Sequence, residues 1–258
     1  GSEMCIRDRN SSGGLVNNGN YASAQLCITK VIDEDSNISY TFIDKFERTV
    51  LTRQMKNKTT HDTYYVYNDY GNLCFVLQPM YQENSNLSLY AFQYKYDDRN
   101  RCIEKITPGA DAIKYVYDFA DHLVFSQDGN QRVATQWTFY LYDQFHRLTV
   151  KGICSNTNTS SASSSVITCT RTNSNTGLGN SGYTSSFGLT FPVVHQVNYY
   201  DVYDFRSLTG FTNATYFPVA SISAKGYLTG SVTTILENGV KLYSANYYDI
   251  KGRVTKSV

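Results

Sequence analysis

One motif, repeated seven times, constrains this 258-residue chain more than any other feature. Its copies are Thr41-Phe-Ile-Asp44-Lys-Phe-Glu47-Arg48, Tyr65-Val-Tyr67-Asn68-Asp-Tyr-Gly71-Asn72, Tyr94-Lys-Tyr96-Asp97-Asp-Arg-Asn100-Arg101 and Tyr115-Val-Tyr117-Asp118-Phe-Ala-Asp121-His122. The others are Tyr140-Leu-Tyr142-Asp143-Gln-Phe-His146-Arg147, Asn198-Tyr-Tyr200-Asp201-Val-Tyr-Asp204-Phe205 and Asn246-Tyr-Tyr248-Asp249-Ile-Lys-Gly252-Arg253. Two positions, mostly tyrosine and spaced by two, lie on one face of a strand. Asp or Asn follows in every copy; its short acceptor side chain takes backbone N–H bonds two or more residues on and starts a turn. Three residues later stand Glu47, Gly71, Asn100, Asp121, His146, Asp204 and Gly252. Except for Glu47, these are types that tolerate positive φ. An arginine or histidine comes next in five copies, and an apolar or small residue then opens a return strand.

Each copy therefore reads as one β-hairpin. A lone hairpin is marginal in water, so the hairpins must pair edge to edge in an array. The expected fold is all-β: antiparallel hairpins forming one long, curving sheet. Successive Asp positions lie 24, 29, 21, 25, 58 and 48 residues apart, and the two long gaps call for an extra hairpin or an insertion. Pro108-Gly109-Ala110-Asp111 and Asp128-Gly129-Asn130 mark turns at the opposite end of the sheet. Residues 155–190, rich in Ser, Thr, Asn and Gly, read as an exposed insertion on an array covering 21–258.

Composition agrees. The chain has 23 Tyr and 13 Phe but 4 Pro, which suits ladders and half-buried pleated surfaces. With 23 basic and 22 acidic residues it lacks the basic excess of a nucleic-acid binder. No apolar run reaches the length of a membrane span. GSEMCIRDR resembles a translated sequencing-adapter tract, so residues 1–20 are expected to be disordered or foreign, and both ends read as those of a fragment. Cys5, Cys27, Cys74, Cys102, Cys154 and Cys169 show no metal-ligand spacing. Cys154 and Cys169 flank the Ser/Thr-rich tract and form a candidate disulfide; the other reading is that they are buried thiols.

The pattern Tyr-x-Tyr-Asp-x-x-Gly-Arg-Leu resembles the YD repeat of bacterial RHS (rearrangement hot spot) proteins, with Tyr248-Asp249-Ile-Lys-Gly252-Arg253-Val254 following it closely. Phe92-Gln-Tyr-Lys-Tyr-Asp97, Pro108-Gly-Ala-Asp111 and Ser126-Gln-Asp-Gly-Asn130 are similar to a bacterial subfamily. Asn68, Glu47 and Phe205 depart from the pattern. The resemblance implies a β-strip that spirals into a hollow shell around a C-terminal effector or toxin of the same polypeptide, in a secreted or cell-surface protein. Nothing here matches the family's self-cleaving protease core.

The turn residues (Asp44, Asn68, Gly71, Asp97, Asn100, Arg101, Asp118, Asp121, Asp143, His146, Arg147, Asp201, Asp204, Asp249, Gly252 and Arg253) are expected to be structural, since a catalytic site need not recur in every repeat. The tyrosines are expected to form the packing face of the sheet through cross-strand aromatic pairs; a carbohydrate-stacking platform is the competing reading. His122 and His146 are turn residues, His61 and His195 stand alone, and no nucleophile-elbow, zincin or phosphate-loop motif is present. The expected function is a non-catalytic shell segment without cofactor or metal. The alternative is an adhesin-like module that binds surface glycans or proteins.

Overall fold

The computed structural model describes residues 5–9, 13–56, 59–156, 159–172, 174–220 and 223–258. The chain divides into two compact units, Gly1–Lys114 and Tyr115–Val258. It is all-β apart from short helical turns.

In the first unit, β1 (Cys5–Arg9) and β2 (Leu15–Asn20) pair as an antiparallel ribbon. The tract set aside as disordered or foreign thus carries a hairpin, although residues 1–4 and 10–12 lie outside the described residues. The main sheet then runs in chain order. Its strands are β3 (Cys27–Ile32), β4 (Ile38–Ile43), β5 (Thr49–Lys56), β6 (Thr59–Tyr67), β7 (Leu73–Leu77), β8 (Ala91–Tyr96) and β9 (Cys102–Ile106), each antiparallel to its neighbour. The first residues of β10 (Ile113–Tyr117) pair with β9. The core here is Phe42, Leu51, Tyr64, Val66, Phe75, Leu77 and Ala91.

In the second unit the strands are β11 (Leu123–Gln127), β12 (Trp137–Tyr142), β13 (Leu148–Cys154), β14 (Cys169–Arg171), β15 (Tyr183–Ser185), β16 (Val193–Asp201), β17 (Ala224–Thr234), β18 (Lys241–Tyr248) and β19 (Val254–Ser257). β13 pairs directly with β16, and β14 and β15 form a separate ribbon between them in sequence. That ribbon belongs to the Ser/Thr/Asn-rich insertion, which is not merely exposed. Ala162, Ile167, Cys169 and Tyr183 are buried in the core with Phe125, Phe139, Tyr199 and Phe205. Sparse apolar residues anchor it while its polar majority faces water, a distribution that composition averages away. The Asp128 signal also resolves differently. Instead of a tight turn it caps a short helix, α1 (Gly129–Val133), through a reciprocal capping box with Gln131.

The repeat's tyrosines do not form the packing face. In five copies the residue between them does: Phe42, Val66, Leu141, Tyr199 and Tyr247 are buried, Val116 is half-buried and Lys95 exposed, while Tyr65 and Tyr67 are half-buried on the opposite side of β6. Period 2 put both tyrosines on one face, and the physics of burial chose the other face for the core.

Candidate functional site: the row of turns

The Asp turns share one construction. In six of the seven, the Asp or Asn carbonyl accepts from the N–H three residues on, and its own N–H donates to the carbonyl four residues on. Examples are Glu47 N to Asp44 O at 3.1 Å and Asp44 N to Arg48 O at 2.9 Å. One side-chain oxygen accepts two further backbone N–H groups: Asp143 Oδ1 takes Phe145 N at 2.9 Å and Arg147 N at 3.0 Å. The fourth turn residue is left-handed: Glu47 at φ 62°, Gly71 at 82°, Asn100 at 60°, Asp121 at 65°, His146 at 63° and Gly252 at 74°. The register shifts just before the Asp in the first, second, third, fifth and seventh copies, as between Val66 and Tyr67, so those hairpins close on a bulge.

The sixth copy is the exception. Asp201 itself has φ 72°, and Asp204 starts a short 3₁₀ turn rather than taking the left-handed place. Phe205, where the pattern has arginine, is wholly buried and stacks on Tyr199 at 4.8 Å. Burial of that ring outweighs the local turn preference. Glu47, by contrast, adopts the left-handed conformation its type disfavours.

Arginines at the next position hold their own Asp: the Nε of Arg48, Arg101, Arg147 and Arg253 lies 2.9, 2.7, 2.8 and 2.7 Å from the carboxylate. Burial opposes ionisation of Asp44 and Asp97, but the hydrogen bonds within each turn prevail and hold both carboxyls below the ordinary range. Asp201 is lowered chiefly by hydrogen bonds from Arg147, whose own guanidinium is pushed upward mainly by Asp201.

The turns also reach the next hairpin, which the sequence did not reveal. The tyrosine before the Asp donates its hydroxyl to the carbonyl just past the preceding turn. Tyr67 reaches Thr49 at 2.9 Å, Tyr96 reaches Leu73 at 2.8 Å, Tyr142 reaches Leu123 at 3.2 Å and Tyr200 reaches Leu148 at 3.1 Å. Tyr248 makes the equivalent bond to Leu228 on β17 at 2.6 Å. Burial raises these phenols, Tyr96 to about 12, so they stay protonated donors. The residue after the left-handed position stacks on the same ring: Arg48 lies 5.0 Å from Tyr67, Arg147 lies 4.4 Å from Tyr200, and the His122 ring stacks on Tyr142 at 4.7 Å. Arg147 further donates to both carboxylate oxygens of Asp201, at 3.0 and 2.6 Å. The bonded tyrosines sit 18, 23, 19 and 52 residues from their acceptors, so no fixed spacing announced them.

A cleft of about 520 Å³ beside this row is lined by Arg147, Arg171, Tyr183, Tyr200 and Asp201, among others. Its cations are committed. Arg171 donates to the Ser181 and Gly182 carbonyls and to Asp204. Cys154 and Cys169 are separate, buried free thiols rather than a disulfide. The first ends β13 opposite Trp137, and the second opens β14 opposite Ser185. Burial pushes the Cys169 thiol up to about 11, which makes it a poor nucleophile. Among the described residues no group of three His, Cys, Asp or Glu is placed to hold a metal, and no helix is long and apolar enough to cross a membrane.

No protein-family model matches the chain, and no curated protein matches it. Solved structures are similar over nearly all of it. Against TcdB2-TccC3 lacking its hypervariable C-terminal region, the TM-score is 0.43 at 10% identity, covering 99% of this chain and 16% of that one. Against TcdB2-TccC3-Cdc42, the TM-score is 0.37 at 11% identity, with 99% and 17% covered. The chain thus spans about a sixth of the length of these structures.

Proposed function

We propose that this chain is a non-catalytic wall segment of an RHS-repeat protein, secreted or displayed at a bacterial surface. Its hairpins help to enclose an effector carried C-terminally in the same polypeptide. The observation that carries the reading is where the repeat's polar groups are spent. Arg147 joins Asp143 to Asp201, and Tyr200 bonds the Leu148 carbonyl beneath the Arg147 guanidinium, so the polar groups lining the adjacent cleft are engaged in joining hairpins. Such joints resist shear between neighbouring hairpins, which is what a wall requires. No cofactor, metal or nucleic acid enters this role.

The test uses the full-length protein. Limited proteolysis should leave the C-terminal effector protected in the wild type and expose it when Arg147→Ala and Tyr200→Phe are combined. An effector cut equally fast in both proteins would defeat the reading. A second reading, binding of glycans or proteins, is favoured by aromatic side chains at the turn tips: Phe46, Tyr70 and Phe145 are 64%, 80% and 60% exposed. Glycan or protein capture that is lost on replacing these three with serine would establish it.

A further inference from the structure

The fourth Asp turn departs from its neighbours in one respect that alters its chemistry: histidine replaces the permanently charged arginine. Asp118 is wholly buried and accepts the N–H groups of Ala120 at 2.9 Å, His122 at 2.9 Å and Ile167 at 3.0 Å. Its Oδ2 also lies 3.2 Å from Nδ1 of His122. The His122 ring stacks on Tyr142, and its Nε2 lies 2.5 Å from Nδ1 of His146, the left-handed residue of the following turn. An imidazole nitrogen must carry a proton to donate and lack one to accept. A carboxylate that accepts these N–H donors requires a proton on Nδ1 of His122. The contact between the rings then requires one proton, shared between Nε2 of His122 and Nδ1 of His146.

We propose that this pair is an acid-sensitive joint between the fourth and fifth Asp turns. With no extra proton, His146 donates to His122. With one, either ring is the imidazolium, a proton still lies between them, and the buried Asp118 carboxylate compensates the charge as the equivalent Asp does for arginine in other turns. A second proton places two N–H groups face to face on two cations, and the contact must open. The joint is therefore closed when the pair carries zero or one extra proton, most firmly at one, and opens when it carries two. Charged and polar groups flank the pair on each packed element. The fourth turn supplies Asp118 and Asp121, the fifth turn Asp143 and Arg147, β12 the Tyr142 ring, and the insertion the backbone of Ser165 and Ile167. Arg147 is already held by the Asp143 and Asp201 carboxylates, so the opening force at two extra protons is the facing of two N–H donors on two cations. The insertion hangs on the same turn, through Ile167 N to Asp118 and Phe119 N to Ser165 O at 3.1 Å, so opening loosens it as well. Joints built on arginine cannot respond in this way, because guanidinium keeps its charge throughout the accessible pH range.

The experiment compares wild type with His122→Arg/His146→Gly, which gives this joint the residue types of its neighbours. Urea midpoints and hydrogen exchange at the Phe119 and Ile167 amides are followed from pH 8 to pH 4, because a contact firmest with one extra proton resists taking up the second. His61, His195 and every carboxylate other than those of the joint itself are common to both proteins. Exchange at the two amides should rise at least about tenfold more in wild type than in the variant at the acid end. An identical pH profile in the two proteins overturns the proposal. Should the double variant fold poorly, imidazole ¹⁵N shifts of wild type alone decide. Two separated protonation steps shared by both rings support the joint, and two independent, unsplit titrations refute it.

Discussion

Replacing Arg147 with alanine asks whether the turn arginine acts between hairpins or only within its own turn. Arg147 bonds Asp143 at 2.8 Å, spans both oxygens of Asp201 at 3.0 and 2.6 Å and lies over the Tyr200 ring. The Arg147 side chain is 22% exposed, and those of Asp143 and Asp201 are 14% and 28%, so water screens the arrangement only in part. Breaking a fully buried pair costs roughly 3–5 kcal/mol, and an exposed pair is worth about 0–1. A three-bond, partly buried site falls between them, at about 2–4 kcal/mol including the ring stack. With a urea slope of roughly 2–3 kcal/mol/M for a unit of this size, the second unit's midpoint should fall by about 1 M. Arg253→Ala is the control. Arg253 clasps Asp249 in the same local geometry, but its side chain is 73% exposed and, among the described residues, stacks on no ring. Its loss should leave the midpoint within error. Equal shifts for the two variants would refute the inter-hairpin role, because only the turn-internal bond is common to both.

Other outcomes follow from the same geometry. Gly252→Val should destabilise the last hairpin by about 1–2 kcal/mol, since φ is 74° and the new side chain meets the Tyr227 hydroxyl; an unchanged denaturation midpoint would contradict this. Glu47→Gly should stabilise the first unit by about 0.5–1 kcal/mol in urea titration, because Glu47 holds φ 62° without the freedom of glycine. Asp44, Asp97 and Asp201 have folded-state carboxyls below the ordinary range near about 3.9, so their stabilisation is complete above that range and lost as pH falls through the lower folded values. Urea midpoints should accordingly drop between pH 5 and pH 3, and less steeply in Asp201→Asn.

The sequence by itself determined the hairpins. A left-handed residue three places after an Asp is a local requirement of backbone geometry, and Gly71, Asn100, Asp121, His146 and Gly252 meet it as their types foretell. Local chemistry also placed the Asp–Arg clasp, four residues apart. What it could not decide was anything that depends on which hairpin lies alongside. Both faces of Tyr65-Val66-Tyr67 are apolar enough to be buried, and only the assembled sheet makes Val66 the core residue and Tyr67 the rung to Thr49. The tertiary structure likewise overrode the sixth turn by burying Phe205, folded the polar insertion onto the core through Ile167 and Cys169, and set His122 against His146 across 24 residues of chain. Turn conformation is fixed by interactions within a few residues, where sequence order is spatial order. Face choice, stacking and long-range pairing minimise exposed apolar area and unpaired polar groups over the whole array, and they exist only once the strands have paired.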